Sequence, residues 1–581
     1  MRKTHFLVIG GMLCAAGILL QPPESRADVA AEARPDAGSL FRDQMSTVPS
    51  TMPDRFRQDS VDEKVNPGAV KEDPNALRIV VKGYVFSGYE SLVTEQELQD
   101  LVSPTVGNAL TYKELQTVAD AVTALLHKQG WFLASAYLPK QDVTAGVIQI
   151  VINPALSDDR AHILPDKTVR IKKCLLDCIP KDAVRKGYPV DEDELSHALL
   201  LMNDLPGISA RSSVAAGKTP GTAIVEIAVT EGPLFRGFLL GDNYGNRYTG
   251  IWRASALIGA NDPFHIGDQA SLMVTGADGL LQGRASYSFP ILLEGLKGFM
   301  SGTLMKYKLV QELEPLDYNG FSVGYDAGLT NTLLRGRNAN AAITFTYANR
   351  WLIDSKSVTD IRDRRLNSFT VSANGDMQDT YKGGGNTNWT LGLTAGNFHD
   401  RISDATLSRT DGFYTRYNYS LNRLQRLRER VTLSVMWKGQ KSIKNLDSSE
   451  EFTIGGPYAV RAYPVGEGTG DEGDLINVDM RYTLPAPPTW GSFQAGVFYD
   501  AGHIRKNWGP SDIPLSTATN LNQYWLQGVG VGLGYIFPGK LSMNLAWAHT
   551  VGNNPGRSTS GTNADGLKTN NRFWFQALRY F

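Results

Sequence analysis

The segment Leu541-Ser-Met-Asn-Leu-Ala-Trp547 decides the predicted fold, because apolar residues alternate along it with small or polar ones. In an extended chain successive side chains point to opposite faces, so its two leucines, Met543 and Trp547 share one face. From about Phe235 to the C-terminus, segments of roughly ten residues repeat this alternation between turn clusters. Such segments are typical of the strands of a membrane β-barrel, whose apolar face contacts lipid.

About sixteen such segments follow one another, an even number, as a closed bacterial barrel requires. Their approximate centres are residues 239, 255, 272, 285, 304, 323, 345, 371, 393, 418, 434, 480, 498, 531, 545 and 577. Alternate connections include long ones at about 441–474, 505–525 and 552–571, whereas the other set is short. Barrels have long extracellular loops and short periplasmic turns, so this asymmetry indicates an N-terminal arm in the periplasm.

A soluble β-rich protein is the alternative interpretation of the same alternation. In such a protein, Trp389, Trp547 and Trp574 would lie in a core between two sheets instead of in a belt facing lipid. The regular repetition favours the barrel.

The N-terminus has the features of a secretory signal peptide, predicted over residues 1–27. Arg2 and Lys3 form a basic start, residues 6–20 are apolar, and Ser25-Arg26-Ala27 supplies small residues for cleavage. No later segment approaches the roughly 18 to 20 apolar residues that a membrane helix needs. We therefore expect an exported protein.

The three cysteines divide between the signal peptide and the mature chain. Cys14 allows a lipoprotein signal, but this is the weaker interpretation because Leu13 stands where a small residue is needed. Cys174 and Cys178 remain after cleavage and are an even, closely spaced pair in an exported protein. We expect a local disulfide between them, with two free thiols as the alternative.

The composition argues against several classes of function. The 58 basic and 59 acidic residues nearly cancel, so we expect no surface for nucleic acid. The eight histidines lack the spacing of a metal site, and neither Gly-x-Ser-x-Gly nor His-Glu-x-x-His occurs. We therefore expect no metal, no cofactor and no enzyme activity.

Residues 28–76 are rich in Asp, Glu, Pro and Ser and predict a small helix followed by a flexible linker. The helix is expected from about Asp36 to Met45, with Leu40 and Phe41 among its apolar residues.

Residues 77–232 repeat a β-α-α-β-β pattern, which predicts two modules over residues 77–154 and 155–232, followed by the barrel at 233–581. The first copy predicts strands at residues 77–82, 131–137 and 147–153, and helices opened by capping boxes at Thr94-Glu-Gln-Glu97 and Thr111-Tyr-Lys-Glu114. The second predicts strands at residues 168–173, 208–215 and 222–230, and helices at 179–185 and 191–203.

Several motifs carry a family resemblance across nearly the whole mature chain. The first module contains Gly130-Trp131 and Leu138-Pro-Lys-Gln-Asp-Val-Thr-Ala-Gly146, the second contains Asn203-Asp-Leu-Pro-Gly207, and the barrel starts with Asp242-Asn-Tyr-Gly245. These motifs resemble those of the two-partner secretion (TpsB) transporters of the Omp85 superfamily, which export haemolysins and adhesins like filamentous haemagglutinin. The resemblance implies a membrane all-β barrel of about 16 antiparallel strands preceded by two α+β POTRA domains.

Two further motifs resemble the parts of this family that meet inside the barrel. Gly455-Gly-Pro-Tyr-Ala-Val-Arg-Ala-Tyr463 resembles the sixth extracellular loop, whose Val-Arg-Gly-Tyr tip folds into the lumen, although Ala462 replaces the glycine here. Phe498-Tyr-Asp-Ala-Gly502 resembles the strand motif that receives the arginine. The implied lumen lock consists of Arg461, Tyr463, Phe498, Asp500 and Gly502.

The residue pattern supports this lock independently. Alternation directs Phe498 and Asp500 into the lumen, where a carboxylate is costly unless it is paired. Arg461 is a suitable planar partner, and a solvated loop arginine is the alternative. Space for a loop is expected nearby because the next strand carries four inward glycines, Gly528, Gly530, Gly532 and Gly534.

The resemblance implies a bacterial outer-membrane protein that secretes an unfolded TpsA-type partner through its barrel, using periplasmic POTRA domains. The strand edges at residues 131–137 and 208–215 are expected to pair with the client backbone. The expected client-binding residues are Trp131, Pro139, Gln141, Gly146, Pro206 and Gly207. The helix with Leu40 and Phe41 would plug the lumen at rest. Outer-membrane lipid, and the barrel assembly machinery and periplasmic chaperones for biogenesis, are the other implied partners.

Three other functions fit parts of the pattern. An insertase or assembly factor of the same superfamily usually carries a different number of periplasmic modules. A passive porin would not need the Arg461 and Asp500 pair, and an outer-membrane enzyme would need a nucleophile and a base. The sequence leaves open whether the client is an adhesin, a cytolysin or a contact-dependent toxin.

Overall fold

The computed structural model describes residues 34–45, 77–292, 294–402, 408–509, 515 and 517–581. The predicted signal peptide and linker lie outside the described residues. Helix α1 (Ala37–Met45) lies where a helix was expected. Within the described part of the chain, no helix is both long and apolar enough to cross a bilayer.

The first module packs two helices beside a small sheet. Its elements are β1 (Arg78–Val80), β2 (Gly83–Ser87), α2 (Glu95–Val102), β3 (Ala109–Thr111), α3 (Tyr112–Lys128), β4 (Ser135–Tyr137) and β5 (Val147–Asn153), and the sheet order is β2-β5-β4. Helices α2 and α3 begin at the predicted capping boxes, where Thr94 and Thr111 accept hydrogen bonds from the first turn. Hydrogen bonds donated by the backbone and hydroxyl of Thr94 hold the pKa of Glu97 below its ordinary value.

The second module repeats this arrangement around one central strand. Its elements are β6 (Leu156–Ser157), β7 (His162–Pro165), α4 (Lys173–Cys178), α5 (Glu192–Asn203), β8 (Ile208–Ala216) and β9 (Thr222–Glu231). Strands β6 and β7 pair in parallel with successive parts of β9, and β8 pairs antiparallel along its length. Strand β8 is therefore a long edge strand.

Two predicted strands in the modules are corrected by the structure. Residues 168–173 form no strand, because the N–H groups of Arg170 and Ile171 donate to the Glu231 carboxylate instead of to a neighbouring strand. Of the strand predicted over residues 131–137, only the last three residues, β4 (Ser135–Tyr137), form a strand. The residues before it form a turn, in which the N–H of Ala134 donates to the carbonyl of Trp131 over 3.0 Å.

The expected disulfide is also corrected, because Cys174 and Cys178 are exposed free thiols on helix α4. Residues four positions apart on a helix have Cβ atoms about 5–6 Å apart. A disulfide needs Cβ atoms about 3.5–4.5 Å apart, so a bridge would distort the helix.

Sixteen antiparallel strands close into a barrel. They are β10 (Phe235–Asp242), β11 (Arg253–Asn261), β12 (Gln269–Ala277), β13 (Leu280–Leu292), β14 (Leu296–Lys308), β15 (Tyr318–Arg335), β16 (Ala339–Lys356), β17 (Thr359–Asp379), β18 (Gly385–Asp400), β19 (Gly412–Arg428), β20 (Val431–Ser442), β23 (Glu472–Thr483), β24 (Ser492–Arg505), β25 (Gln523–Phe537), β26 (Leu541–Val551) and β27 (Asn571–Tyr580). A short hairpin of β21 (Phe452–Thr453) and β22 (Thr469–Gly470) lies between β20 and β23. All sixteen predicted centres fall within these strands, so the predicted fold is confirmed.

The outer face of the barrel is apolar and uncovered by the described residues. Leu391 is 57% exposed and Leu393 is 42% exposed, whereas the neighbouring Thr394 is buried and faces inward. A soluble sandwich would bury such leucines against a second sheet. Their exposure around a closed barrel instead fits a surface that contacts lipid.

The barrel has two distinct ends. The chain passes from β9 into β10, so the end where β10 begins lies beside the second module, and we call it the module side. Here Asp204 accepts two hydrogen bonds of 2.7 Å from Arg335 at the end of β15. The opposite end, the loop side, carries the connection of residues 443–471 between β20 and β23.

Candidate functional site

The connection of residues 443–471 folds back into the barrel, and we call it the lumen loop. Its Ile454, Val460 and Tyr463 side chains are completely buried. They join one apolar cluster with Phe498 of β24 and Leu526 of β25. The lumen loop is therefore packed against the barrel wall as firmly as a core segment.

Arg461 of the lumen loop binds two carboxylates of the wall at once. Its Nε and Nη2 donate to Asp500 over 2.9 and 2.7 Å, and its backbone N–H donates to the same carboxylate over 3.0 Å. Its Nη1 and Nη2 donate to Asp479 over 2.9 and 3.0 Å. The guanidinium carbon also lies 3.5 Å from the centroid of the Phe498 ring. This geometry matches the expected contact between the loop arginine and Asp500.

Strand register explains why these side chains converge. Asp479 lies opposite Phe498, and Asn477 lies opposite Asp500, in the antiparallel pair of β23 and β24. Alternation sends all four side chains inward, because they occupy every second position of each strand. Arg461 thus meets a polar patch that two adjacent strands build together.

Three residues of this patch were missed in the sequence. Trp574, which the barrel interpretation placed in a belt facing lipid, is 6% exposed and points into the lumen. Asp479 was not selected, Asn477 donates to Asp500 over 2.6 Å and to the Ala459 carbonyl over 2.8 Å, and Trp574 donates from Nε1 to the Arg461 carbonyl over 2.7 Å. The alternation Asn477-Val-Asp479 was a visible signal, since it puts two polar side chains on one inward face.

Small residues make room for the lumen loop. A Cβ atom added to Gly528 would lie 2.5 Å from the Cβ of Ala462, and one added to Gly502 would lie 2.9 Å from the Cβ of Ile454. Such distances are shorter than carbon atoms tolerate, so glycine is required at both positions. Gly532 and Gly534 instead line a cavity of about 280 Å³ beside Arg461.

Helix α1 lies inside the barrel against β15 and β16. Leu40 and Phe41 are 1% and 2% exposed and belong to an apolar cluster with strand residues. The Phe41 ring packs over Gly324, where an added Cβ would lie 2.7 Å away, and Arg350 stacks 5.3 Å from the ring centroid. The expected apolar residues of the helix therefore do lie in the lumen.

Ionic contacts hold the first turn of α1. Asp36, just before the helix, lies 3.1 Å from Arg362 and 3.0 Å from Arg364 on β17. The N–H of Ala37 donates to Asp354 over 2.8 Å, which satisfies a free donor at the helix start. The helix is thus attached to the wall by charged groups at its N-terminal end.

Helix α1 and the lumen loop also bind each other. The Ser448 hydroxyl donates to Asp36 over 2.9 Å, and Arg42 donates to the Ser448 carbonyl over 2.7 Å. Glu450 of the same loop accepts hydrogen bonds from Arg350 over 2.9 Å and from Arg416 over 2.7 Å. Helix α1 and the lumen loop therefore share one polar network with the wall.

The predicted client-binding residues do not form one site. Trp131 donates from Nε1 to the Leu92 carbonyl over 2.8 Å, and the half-buried Pro139 follows β4. The Gln141 amide pairs with both backbone groups of Gln149 and so continues the sheet beside β5. Gly146 has a φ of 74°, which favours glycine. In the structure, the contacts of Trp131 and Gln141 and the backbone conformation of Gly146 therefore stabilise the first module itself.

Pro206 and Gly207 lie where the second module meets the barrel. Gly207 has a φ of 80°, and an added Cβ would lie 3.3 Å from the Asn261 side chain. Its carbonyl accepts a hydrogen bond of 2.9 Å from Gly232. This position fits a junction between domains better than an exposed binding surface.

The two expected strand edges differ in their availability. On β4, the N–H of Ala136 already donates to the Thr123 hydroxyl over 2.9 Å. On β8, the Asn203 side chain binds both the N–H and the C=O of Ala210, so these groups point away from β9. Because backbone groups alternate in direction along a strand, the N–H and C=O groups of residues 212, 214 and 216 also point away from β9. Beyond Ala210, the described residues show no partner for the outward groups of β8.

Comparison with known proteins agrees with this architecture. The model of the family "Haemolysin secretion/activation protein ShlB/FhaC/HecB" matches residues 221–534, and the model "POTRA domain, ShlB-type" matches residues 79–155. The heme/hemopexin transporter protein HuxB of Haemophilus influenzae (strain 86-028NP) is 24% identical over 497 residues, covering 84% of this chain and 85% of HuxB.

Two further similarities concern CdiB proteins. The outer membrane transporter CdiB of Escherichia coli O6:K15:H31 (strain 536 / UPEC) is 24% identical, covering 78% of this chain and 75% of that protein. The structure of CdiB from Escherichia coli has a TM-score of 0.66 at 18% identity and covers 93% of this chain and 95% of CdiB. Because the first family model matches more than half of the residues, the chain belongs to the ShlB/FhaC/HecB haemolysin secretion/activation family, the TpsB outer-membrane transporters of the Omp85 superfamily that secrete a partner exoprotein.

Proposed function

We propose that this translocator captures its unfolded partner on the second module and passes it through a lumen that α1 and the lumen loop obstruct at rest. The observation that carries the proposal is the contact of Arg461 with Asp479 and Asp500. Breaking a buried ion pair by removing one partner is costly, whereas a displaced loop can exchange both partners for water or for client groups. An obstruction held in this way is stable at rest and still removable.

Capture is best supported at β8. Its outward N–H and C=O groups can form a new antiparallel ladder with an extended client, which supplies hydrogen bonds without demanding one sequence. Val214 is 44% exposed and adds an apolar contact at the same edge. Residues 77–154 and 155–232 would act as two POTRA domains, with residues 233–581 as the barrel.

Helix α1 would act as the plug, and residues 46–76 would be its tether. Its apolar side is buried but small, and its charged contacts are confined to a few side chains. Biogenesis of such a barrel would require the barrel assembly machinery and periplasmic chaperones. HuxB is named a heme/hemopexin transporter, so an exoprotein that binds heme or hemopexin is one candidate client, beside adhesins, haemolysins and toxins.

The test is co-expression of this chain with a candidate TpsA-type exoprotein, chosen from large exported proteins whose genes neighbour its own. We expect that protein in the culture medium only when the two are co-expressed, and we expect it to accumulate in the periplasm when the chain is absent. Accumulation in the periplasm despite a correctly inserted barrel would argue against the pairing. Culture supernatant and periplasmic fractions measured by immunoblot decide between these outcomes.

A further inference from the structure

Six cations lie on the inward face of one arc of the barrel, and we call them the cationic wall. They are Arg284 on β13, Arg350 on β16, Arg362 and Arg364 on β17, Arg416 on β19 and Lys438 on β20. Two carboxylates of the barrel wall, Asp326 on β15 and Asp354 on β16, pair with them. Asp326 lies 3.5 Å from Arg284 and 3.7 Å from Arg350, and Asp354 lies 2.6 Å from Arg364. The strands alone therefore carry an excess of positive charge here.

Carboxylates beside α1 and on the lumen loop offset most of this excess. Asp36 before α1 pairs with Arg362 and Arg364, and Asp447 of the lumen loop lies 3.0 Å from Arg364. Glu450 of the lumen loop binds both Arg350 and Arg416. The groups that the wall binds at rest are thus carboxylates carried on peptide segments.

The lumen below the cationic wall has a different character. On the module side of the same arc, most inward positions carry uncharged side chains, with Asp376 on β17 as a charged exception. The uncharged ones include Thr344, Thr370, Asn388, Thr390 and Asn422. A chain entering from the module side would first pass a polar surface with few charges and then reach the cations. Arg350, Arg416 and Lys438 line a cavity of about 390 Å³ together with α1 and the lumen loop, so that level is partly open at rest.

We propose that the cationic wall binds acidic segments of the secreted polypeptide once α1 and the lumen loop withdraw, an inference that rests on the proposed function. Rings of arginine and lysine in a narrow pore attract anions, because low-dielectric walls focus their field. An acidic client segment replaces Asp36, Asp447 and Glu450 on the same arginines. The exchange conserves the number of paired charges, so it lowers the cost of removing the plug.

The test measures peptide binding to the detergent-solubilised protein that lacks residues 28–45 and carries Glu450→Gln, so that Arg362 and Arg416 have both lost their carboxylate partners from α1 and the lumen loop. Fluorescein-labelled peptides of ten glutamates or ten lysines serve as probes in fluorescence anisotropy. We expect the glutamate peptide to bind and the lysine peptide not to bind. We also expect binding to fall at least tenfold in Arg416→Gln and in Arg362→Gln. Arg362 is 42% exposed, so that variant does not depend on folding around a buried charge.

Arg423→Gln is the matched control. Arg423 lies on β19 like Arg416, but it pairs with Asp379 away from the cationic wall. Equal binding of both peptides, or glutamate binding that survives Arg416→Gln and Arg362→Gln, would overturn the proposal. In full-length protein, Asp36→Asn should strengthen glutamate binding, because it removes a competing carboxylate.

Conductance of the same deletion variant in planar bilayers separates this inference from the plug. Preferential glutamate binding without increased conductance would support the cationic wall and reject the plug. Increased conductance with equal binding of the two peptides would support the plug and reject the wall as a client surface.

Discussion

At the residue scale, Arg461 is held by more contacts than a single ion pair provides. Its guanidinium forms four hydrogen bonds with Asp479 and Asp500, and its backbone amide forms a fifth. The Asp500 side chain is completely buried, so it depends on Arg461 and Asn477 for compensation. Loss of Arg461 would leave two carboxylates facing each other across adjacent strands.

We therefore expect Arg461→Ala to reduce secretion of the partner by about tenfold or more, since breaking a buried pair costs about 3–5 kcal/mol. Asp500→Ala should have a similar effect. The barrel should remain inserted, which heat-modifiable mobility on gels would report. Arg423→Ala is the control, because Arg423 on β19 pairs with Asp379 and has no contact with the Arg461 patch. Normal secretion by Arg461→Ala would remove this contact from the mechanism.

Sequence patterns identified Arg461 and Asp500 but not the rest of the patch. Both belong to recognisable motifs, whereas Asp479 is recruited by strand register. A single sequence does not state that residue 479 lies opposite residue 498, because register depends on the lengths of the intervening turns. Trp574 is more distant still, since barrel closure brings it to the Arg461 carbonyl.

At the element scale, helix α1 is a short segment whose position depends on the wall. It has nine residues, and isolated helices of that length are marginal in water. Burial of Leu40 and Phe41 and the contacts of Asp36 therefore stabilise the helix itself as well as its place in the lumen. Release from the barrel would then be accompanied by partial unfolding of the helix.

Deletion of residues 28–45 should raise single-channel conductance in planar bilayers, because it removes the side chains that fill the lumen beside β15 and β16. Asp36→Asn should give a smaller increase, because it loses the ion pairs with Arg362 and Arg364 but keeps the apolar contacts. An unchanged conductance in the deletion variant would contradict the plug.

The free edge of β8 makes a second prediction at this scale. Val214→Pro removes an outward N–H without breaking the ladder to β9, and proline is tolerated on edge strands. We expect secretion to fall several-fold, whereas Val214→Ala, which keeps the N–H, should retain most secretion. If both variants secrete equally, client capture does not use this edge. Retained far-ultraviolet circular dichroism would exclude unfolding of the module.

Elements differed in how well the sequence predicted them. The barrel strands were found because a lipid-facing surface imposes an apolar residue at every second position. In the second module, residues 168–173 have the composition of a strand, but a distant carboxylate, Glu231, captures their amides. In the first module, β4 is shorter than expected because a turn after α3 uses the preceding residues.

At the scale of the whole molecule, the second module and the barrel are joined by charged contacts as well as by the chain. Arg335 binds Asp204 with two hydrogen bonds, and Arg337 lies 3.3 Å from Glu192 on α5. The Lys297 side chain donates to the Asp204 carbonyl over 3.1 Å. These contacts fix the module on the turns of β13–β14 and β15–β16, and so fix the direction in which β8 presents a client.

Asp204→Ala should loosen this docking, because the bidentate contact with Arg335 is the best-aligned ion pair of the junction and its side chains are 12% and 25% exposed. Spin labels on the native thiol Cys178, with Cys174 replaced by serine, and on Val358→Cys at the loop side would report the distance between module and barrel. We expect a broader distance distribution in Asp204→Ala and lower secretion. The double variant Asp204→Arg with Arg335→Asp exchanges the two charged side chains and re-forms the ion pair. It should therefore restore the narrow distance distribution and the secretion. A distribution as narrow in Asp204→Ala as in the parent would mean that packing alone, around Gly207 and Asn261, holds the module in place.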